Sequence, residues 1–65
     1  MKVTYDAETD SLIIALRDES IRESDEIRPG VIADLGDDGG IVRFEILRAS
    51  KVVTDTGAVE FAATH

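Results

Sequence analysis

Apolar residues in this chain recur at every second position rather than every third or fourth. Val3 and Tyr5 alternate with polar neighbours, and similar alternation runs through residues 31–35 and 41–47. A period of two places alternate side chains on opposite faces of an extended strand. The pattern predicts a mainly β protein, an antiparallel meander of four to five strands with a short C-terminal tail element. An α+β fold with a C-terminal helix is the alternative.

The clearest hairpin joins residues 31–35 to residues 41–47 through the turn sequence Asp-Asp-Gly-Gly. Asp38 and Gly39 suit a two-residue type I′ turn, in which both residues have positive φ. A four-residue loop, 37–40, would keep the same pairing. Either loop places an opposite-charge pair, Asp34 and Arg43, on one face. The apolar pairs on the other face are Leu35 with Val42, Ala33 with Phe44, and Val31 with Ile46.

A second hairpin is predicted at the N-terminus, where a polar stretch, residues 6–10, separates residues 2–5 from 12–16. The run 12–16 fits a helical turn on periodicity alone, but its length and flanking turn residues favour a strand. Setting Tyr5 opposite Leu12 brings Val3 opposite Ile14. The apolar face of this hairpin would carry Val3, Tyr5, Leu12, Ile14 and Leu16.

Residues 18–26 are strongly acidic and interrupt the apolar pattern. In a strand here, Glu23 and Asp25 would lie on the same face as Ile21 and Ile27. Acids would then occupy the face that is expected to be apolar. Such a strand is expected to be short, bulged or at a sheet edge. Pro29 and the glycine after it then mark a bend.

An edge strand over residues 20–26 would expose backbone groups that a partner strand can pair with. Glu23, Asp25 and Glu26 would then select a basic partner. The opposing interpretation is that these acids protect the edge from unwanted pairing.

The C-terminal residues are ambiguous because Gly57 argues against one continuous helix while residues 58–62 suit a strand, a short helix or a frayed end. The sequence predicts one β domain over residues 1–53. Residues 54–65 form a tail that either stands apart or completes the same domain.

The small size of the chain makes a single sheet hard to stabilise. A domain of about 60 residues buries only about 60% of the surface of its unfolded chain. Such small domains usually need a disulfide, a bound metal or a partner subunit for stability. There is no cysteine, and the one histidine is the last residue, His65, so disulfides and thiolate or histidine metal cores are not expected. Both faces of the sheet would also carry apolar residues, the second face holding Ile13, Ala15, Ile32, Ile41 and Leu47. Of these sources of stability only self-association remains, so the sequence predicts a homodimer.

The charge balance is acidic, with 14 Asp and Glu against 7 Lys and Arg. A net charge of −7 repels phosphate backbones, so no nucleic-acid partner is predicted. The longest apolar run, residues 12–16, is too short to span a bilayer, and nothing resembles a signal peptide. We expect a cytoplasmic protein with no membrane partner.

Two carboxylate groupings are candidates for a cation site. Asp6, Glu8 and Asp10 lie within five residues, but they lack the glycine and distal acid of a calcium loop. Turn chemistry explains Asp6, Asp37 and Asp38 equally well, and an ion pair with Arg43 explains Asp34. No metal and no cofactor are predicted.

Catalytic machinery is not evident in the sequence. Four serines, Ser11, Ser20, Ser24 and Ser50, have no histidine nearby in sequence to act as a base. Carboxylate pairs are expected by chance in so acidic a chain, and a single small sheet has little capacity to form the cleft that a hydrolase needs. The sequence therefore predicts no catalytic residues and a protein that is not an enzyme.

The order and spacing of several short motifs resemble the domain of unknown function 2283 family of small prokaryotic proteins. The resemblance extends from residue 2 to residue 53. Relatives often carry a larger side chain where Gly40 stands and a small one near Arg43. The matching residues are Tyr5-Asp6, Glu8, Asp10, Leu12-Ile13-Ile14, Leu16, Pro29-Gly30-Val31-Ile32, Asp34, Asp38-Gly39, Ile41-Val42, Glu45-Ile46-Leu47 and Ala49-Ser50.

The resemblance implies no activity, cofactor or catalytic residue. Some relatives look like neighbours of small toxin-like proteins, which implies an antitoxin-like role. The leading functional hypothesis is therefore a non-enzymatic protein-interaction module that binds a small basic partner. The alternative is a structural or small-ligand-binding homodimer.

Overall fold

The computed structural model describes residues 1–63 as one antiparallel sheet. Its strands are β1 (Lys2–Asp6), β2 (Ser11–Ala15), β3 (Glu23–Arg28), β4 (Val31–Leu35) and β5 (Ile41–Ile46), followed by a 3-10 turn, Ala49–Lys51. The predicted mainly β fold is confirmed. The α+β alternative is wrong for the described chain, since residues 52–63 contain neither helix nor strand.

The strand order is β1-β2-β5-β4-β3, so the chain is not a simple meander. β3, β4 and β5 follow one another, and β2 then lies beside β5, which is the order of a Greek key. The connection between β2 and β3, residues 16–22, passes the end of the sheet where β4 turns into β5. Arg17 fastens this connection to the β4–β5 loop through two hydrogen bonds to Asp38, Nη1 to Oδ2 at 2.9 Å and Nη2 to Oδ1 at 3.0 Å.

The N-terminal hairpin has the predicted register, with Tyr5 opposite Leu12 and Val3 opposite Ile14. The turn between the strands ends at Asp10, whose φ of 54° lies in the left-handed region. Aspartate enters this region more readily than most residues. Leu16 lies just beyond β2 and is exposed.

The second hairpin has most of the predicted register but a different turn. Val31 faces Ile46, Ala33 faces Phe44, and Asp34 faces Arg43, as predicted. A bulge then pairs Leu35 with Ile41, so the predicted pairing of Leu35 with Val42 is wrong. The same pairing turns Ile41 to the side of Leu35, so its predicted place on the second face is wrong.

The loop runs from Gly36 to Gly40 and is closed by the Gly36 N–H to the Gly40 carbonyl at 2.9 Å. Of its residues only Gly39 has positive φ, 80°, so the type I′ turn at Asp38 and Gly39 is wrong. Asp38 instead accepts the Gly40 N–H on Oδ1 at 2.9 Å, which holds it in an Asx turn. The wider loop of the two predicted is the closer description.

β3 is an edge strand with all six residues exposed, and its register shifts between Glu26 and Arg28. The acids at apolar positions predicted a strand that is short, bulged or at a sheet edge, and the structure has both the bulge and the edge position. The buried set is small: among the described residues it comprises Ala33, Val42 and Ala49 with Asp34 and two glycines, Gly30 and Gly36.

Candidate functional site: the apolar face of the sheet

Cross-strand pairing collects nine apolar side chains on one side of the sheet, and we call this set the apolar face. Residues directly opposite one another point to the same side. The register places Leu12 beside Ile46 and Ile14 beside Phe44, which joins the two hairpins into one surface. The members are Val3, Tyr5, Leu12, Ile14, Val31, Ala33, Leu35, Phe44 and Ile46; Ile41, which the bulge pairs with Leu35, lies at the end of the same side and is exposed.

Only Ala33 of these nine is buried, and the others are half-buried. Residues 58–63 of the tail are all exposed, so they do not pack tightly against the apolar face. Val59 and Phe61, the large apolar residues of the tail, are 56% and 74% exposed. Within residues 1–63, no strand or helix forms a second layer.

One end of the apolar face is bordered by the 3-10 turn and the start of the tail. A recess of about 280 Å³ lies there, with Val31 and Ile46 on the sheet side and Val52 and Val53 on the tail side. The tail therefore frames one end of the apolar face without covering its centre.

Charged residues of β3 form one margin of the apolar face. Glu23 lies opposite Leu35 and Asp25 lies opposite Ala33, so both acids share the apolar side of the sheet. Arg28 lies opposite Val31 at the other end of the strand. Glu26 lies opposite Ile32 on the other side of the sheet, where its Oε2 accepts the Gly30 N–H at 3.3 Å. Of the three predicted partner-binding acids, the structure groups Glu23 and Asp25 and separates Glu26.

The opposite side of the sheet carries a polar network centred on Asp34, which has no exposed surface. Asp34 accepts hydrogen bonds from Ser24 Oγ at 2.5 Å and from Arg43 Nε at 2.6 Å. Glu45 lies beside Arg43, with 3.6 Å between Oε2 and Nη2. Asp34 and Arg43 were predicted as a pair; Ser24 and Glu45 were not, because the edge register and the second carboxylate depend on the assembled sheet.

The network shifts two carboxyl groups in opposite directions. Burial raises the pKa of Asp34, but hydrogen bonds from Glu45, Ser24 and Arg43 outweigh it and hold the pKa below its usual range. The hydrogen bond to Asp34, together with burial, raises the pKa of Glu45. The network therefore favours a charged Asp34 beside a Glu45 that retains its proton to higher pH.

Asp10 connects the turn between β1 and β2 to the 3-10 turn that follows β5, and the sequence did not predict this connection. Its Oδ1 accepts Tyr5 Oη at 2.6 Å and the Ser50 N–H at 3.0 Å, and its Oδ2 accepts Ser50 Oγ at 2.7 Å. These bonds lower the pKa of Asp10, with Ser50 the largest cause. A contact 40 residues apart along the chain leaves no local sequence signal.

Two of the other carboxylate candidates, Asp6 and Asp38, also have structural partners. Asp6 accepts the Glu8 N–H and Thr9 Oγ1, each at 3.0 Å, which is the predicted Asx-type turn. Asp38 pairs with Arg17, and the hydrogen bond from Arg17 holds the pKa of that carboxyl far below its usual range. Glu8 and Asp37 are exposed, and His65 lies outside the described residues. No group of three or more potential ligands for a metal ion occurs within residues 1–63.

These features define the class: a small antiparallel β protein of Greek-key order with a hydrogen-bonded polar side and an apolar side that no strand or helix of residues 1–63 covers. Residues 2–50 match the family described as "Protein of unknown function (DUF2283)", which is most of the 65-residue chain. The chain belongs to this family, as its motifs predicted. No curated protein and no solved structure matches it. None of the described residues forms a helix long and apolar enough to cross a membrane.

Proposed function

We propose that this protein is a non-enzymatic protein-interaction module whose binding surface is the apolar face. One observation carries the proposal: nine apolar side chains from four adjacent strands form a continuous surface of which only Ala33 is buried. Strands about 4.8 Å apart and about 3.4 Å per residue give a sheet face about 20 Å wide and 17 Å long. Contiguous apolar patches of this size on a folded chain mark interaction sites.

The carboxylates that could serve as catalytic residues instead form hydrogen bonds that stabilise the fold. Asp6, Asp10, Asp34 and Asp38 each accept hydrogen bonds that close a turn or join two strands. Their arrangement supports a structural role for the carboxylates and leaves the apolar face as the surface available for function.

The narrower form of the proposal is a small basic partner, as an antitoxin-like protein would bind. Glu23 and Asp25 support it, because both acids border the apolar face and neither forms an ion pair within residues 1–63. Charge complementarity at such a margin raises association rates and selects partners.

Two neighbouring isoleucines of β2 provide the test. Ile14 points to the apolar face and Ile13 to the polar side, and both are half-buried. We expect Ile14→Lys to lose the proteins that the tagged wild-type chain captures from a lysate of its source organism, including untagged copies of itself. Ile13→Lys, which adds the same charge to the same strand, should retain them.

Quantitative mass spectrometry of the captured material measures the difference, and circular dichroism confirms that each variant is folded. Equal capture by folded Ile14→Lys and by the wild type would contradict the proposal. Absence of any captured chain with the wild type would do so as well.

A further inference from the structure

We infer that the apolar face is covered by a second copy of this chain, in a twofold dimer whose two β3 edges lie antiparallel over each other. The inference rests on the proposed function, since it names the occupant of the same surface. The twofold axis would lie between the sheets, perpendicular to the strands, along the row of residues that contains Phe44 and Ala33.

The small core argues for an occupant that is present whenever the chain folds. Ala33, Val42 and Ala49 are the buried apolar residues of the described chain, and none is large. A single layer with half-buried apolar side chains gains little from burial until something covers it. Another copy is always present at the concentration of the chain itself, whereas a different partner is not.

The shape of the molecule provides enough area for a stable dimer. The chain measures 33 × 32 × 19 Å, and its radius of gyration is 12.5 Å. A compact chain of this length has a radius of gyration of about 11 Å, so the molecule is flattened, with its exposed tail contributing. A stable interface buries about 800 Å² from each partner, so the dimer uses the whole broad side of the molecule, including β3 and the margin at the tail, and not the apolar face alone. Sheets that pack face to face lie about 10 Å apart.

The charges of β3 select between the two ways of stacking the sheets. A twofold axis parallel to the strands places Glu23 and Asp25 over β1 of the partner, against Val3 and Tyr5. Acids covered in this way lose water and gain no partner, which is costly. An axis perpendicular to the strands places β3 over β3 in reverse, so Glu23 of each protomer meets Arg28 of its partner.

This arrangement is self-complementary, as a twofold interface must be. Glu23 and Arg28 lie about two residue pairs on either side of the row that contains Asp25 and Ala33. Two equivalent ion pairs therefore form at one margin. Phe44 lies on the middle strand in the same row and packs against its copy at the centre, where buried aromatic residues contribute most.

Net repulsion between two acidic copies is limited by where the charges lie. Asp6, Asp18, Glu19, Asp37 and Asp38 lie at strand ends or in connections, away from the apolar face. At physiological salt the Debye length is about 8 Å, so these exposed charges repel one another only over short distances. The one unfavourable contact is Asp25, which meets its copy near the axis.

A charge swap on β3 tests the inference, because Glu23 and Arg28 are exposed and neither forms an ion pair within residues 1–63. Sedimentation equilibrium of the wild type should show a dimer. Glu23→Arg and Arg28→Glu should each weaken dimerisation about tenfold, because two ion pairs become two repulsive contacts. The double variant should restore the wild-type constant. Asp25→Asn should tighten the dimer several-fold.

Other results would overturn the inference. A dimer that survives in folded Ile14→Lys places the interface elsewhere, and a double swap that is as weak as the single variants refutes the antiparallel β3 arrangement. A monomeric wild type that captures a different protein through Ile14 refutes the second copy and leaves the proposed function standing. A monomeric wild type that captures nothing refutes both.

Discussion

Asp34 is fully buried although residues 1–63 form no second layer on the sheet, so the side chains on its neighbouring strands remove it from water. Arg43 and Ser24, its partners on the flanking strands, donate directly to its two oxygens. A buried carboxylate is tolerated only when it is paired and hydrogen-bonded. The opposite-charge pair was predictable from the hairpin register, while Ser24 depended on how the edge strand aligned.

Asp34→Ala should therefore destabilise the protein by about 2–3 kcal/mol, the range for losing hydrogen bonds between charged groups. The cost stays at this level because Arg43 is 39% exposed and regains water when its partner is removed. Urea denaturation at a fixed protein concentration measures the change. Asp18→Ala, at an exposed position, is the control and should shift the free energy of unfolding by less than about 0.5 kcal/mol. Equal effects of the two changes would contradict the role of the network.

The strands themselves follow from local pattern. Alternation predicted both hairpins and most of their pairing, because a slip of one residue would turn apolar side chains to the wrong side. The bulge at Val42 and the shape of the loop were not predictable in this way. Arg17 reaches Asp38 from another part of the chain, and this contact helps decide which residues form the turn.

Substitutions at Gly39 test the geometry of the β4–β5 loop. Its φ is 80°, and no heavy atom lies within 4 Å of the position that a Cβ would occupy. Any cost of substitution is therefore backbone strain. Gly39→Ala should cost about 1–2 kcal/mol, and Gly39→Val should cost more because a β-branched residue resists this region. Gly39→Asn should cost least, since asparagine tolerates it. Gly57→Val in the exposed tail is the control; thermal melts that rank the four variants differently would refute the turn geometry.

At the scale of the whole molecule, several carboxyl groups accept hydrogen bonds that stabilise their charged form in the folded state. Hydrogen bonds lower the pKa of Asp10, Asp34 and Asp38 below the unfolded values. A lowered pKa stabilises the folded state above the unfolded pKa of about 4, and this stabilisation is lost as the pH falls through the folded pKa. Glu45 acts in the opposite sense, because a raised pKa favours the folded state at low pH.

We therefore expect the melting temperature to be highest between about pH 5 and pH 9 and to fall below about pH 4. The hydrogen bond to Asp10 raises the pKa of Tyr5, so stability should also decline at pH values where tyrosine ionises. Asp10→Asn should lower the melting temperature at pH 7 and reduce the fall at acid pH. Calorimetry from about pH 2 to about pH 11 measures these changes, and an acid-induced fall that is unchanged in this variant would exclude Asp10 as a contributor.

The sequence by itself determined the strands, most of the pairing within the two predicted hairpins, the irregular character of the acidic strand and the family, because each depends on residues close together in the chain. The tertiary structure decided how the hairpins join, which acids share the apolar face, and where Asp10 and Arg17 find their partners. These contacts depend on distant segments meeting across the sheet, and no local periodicity records which segments meet.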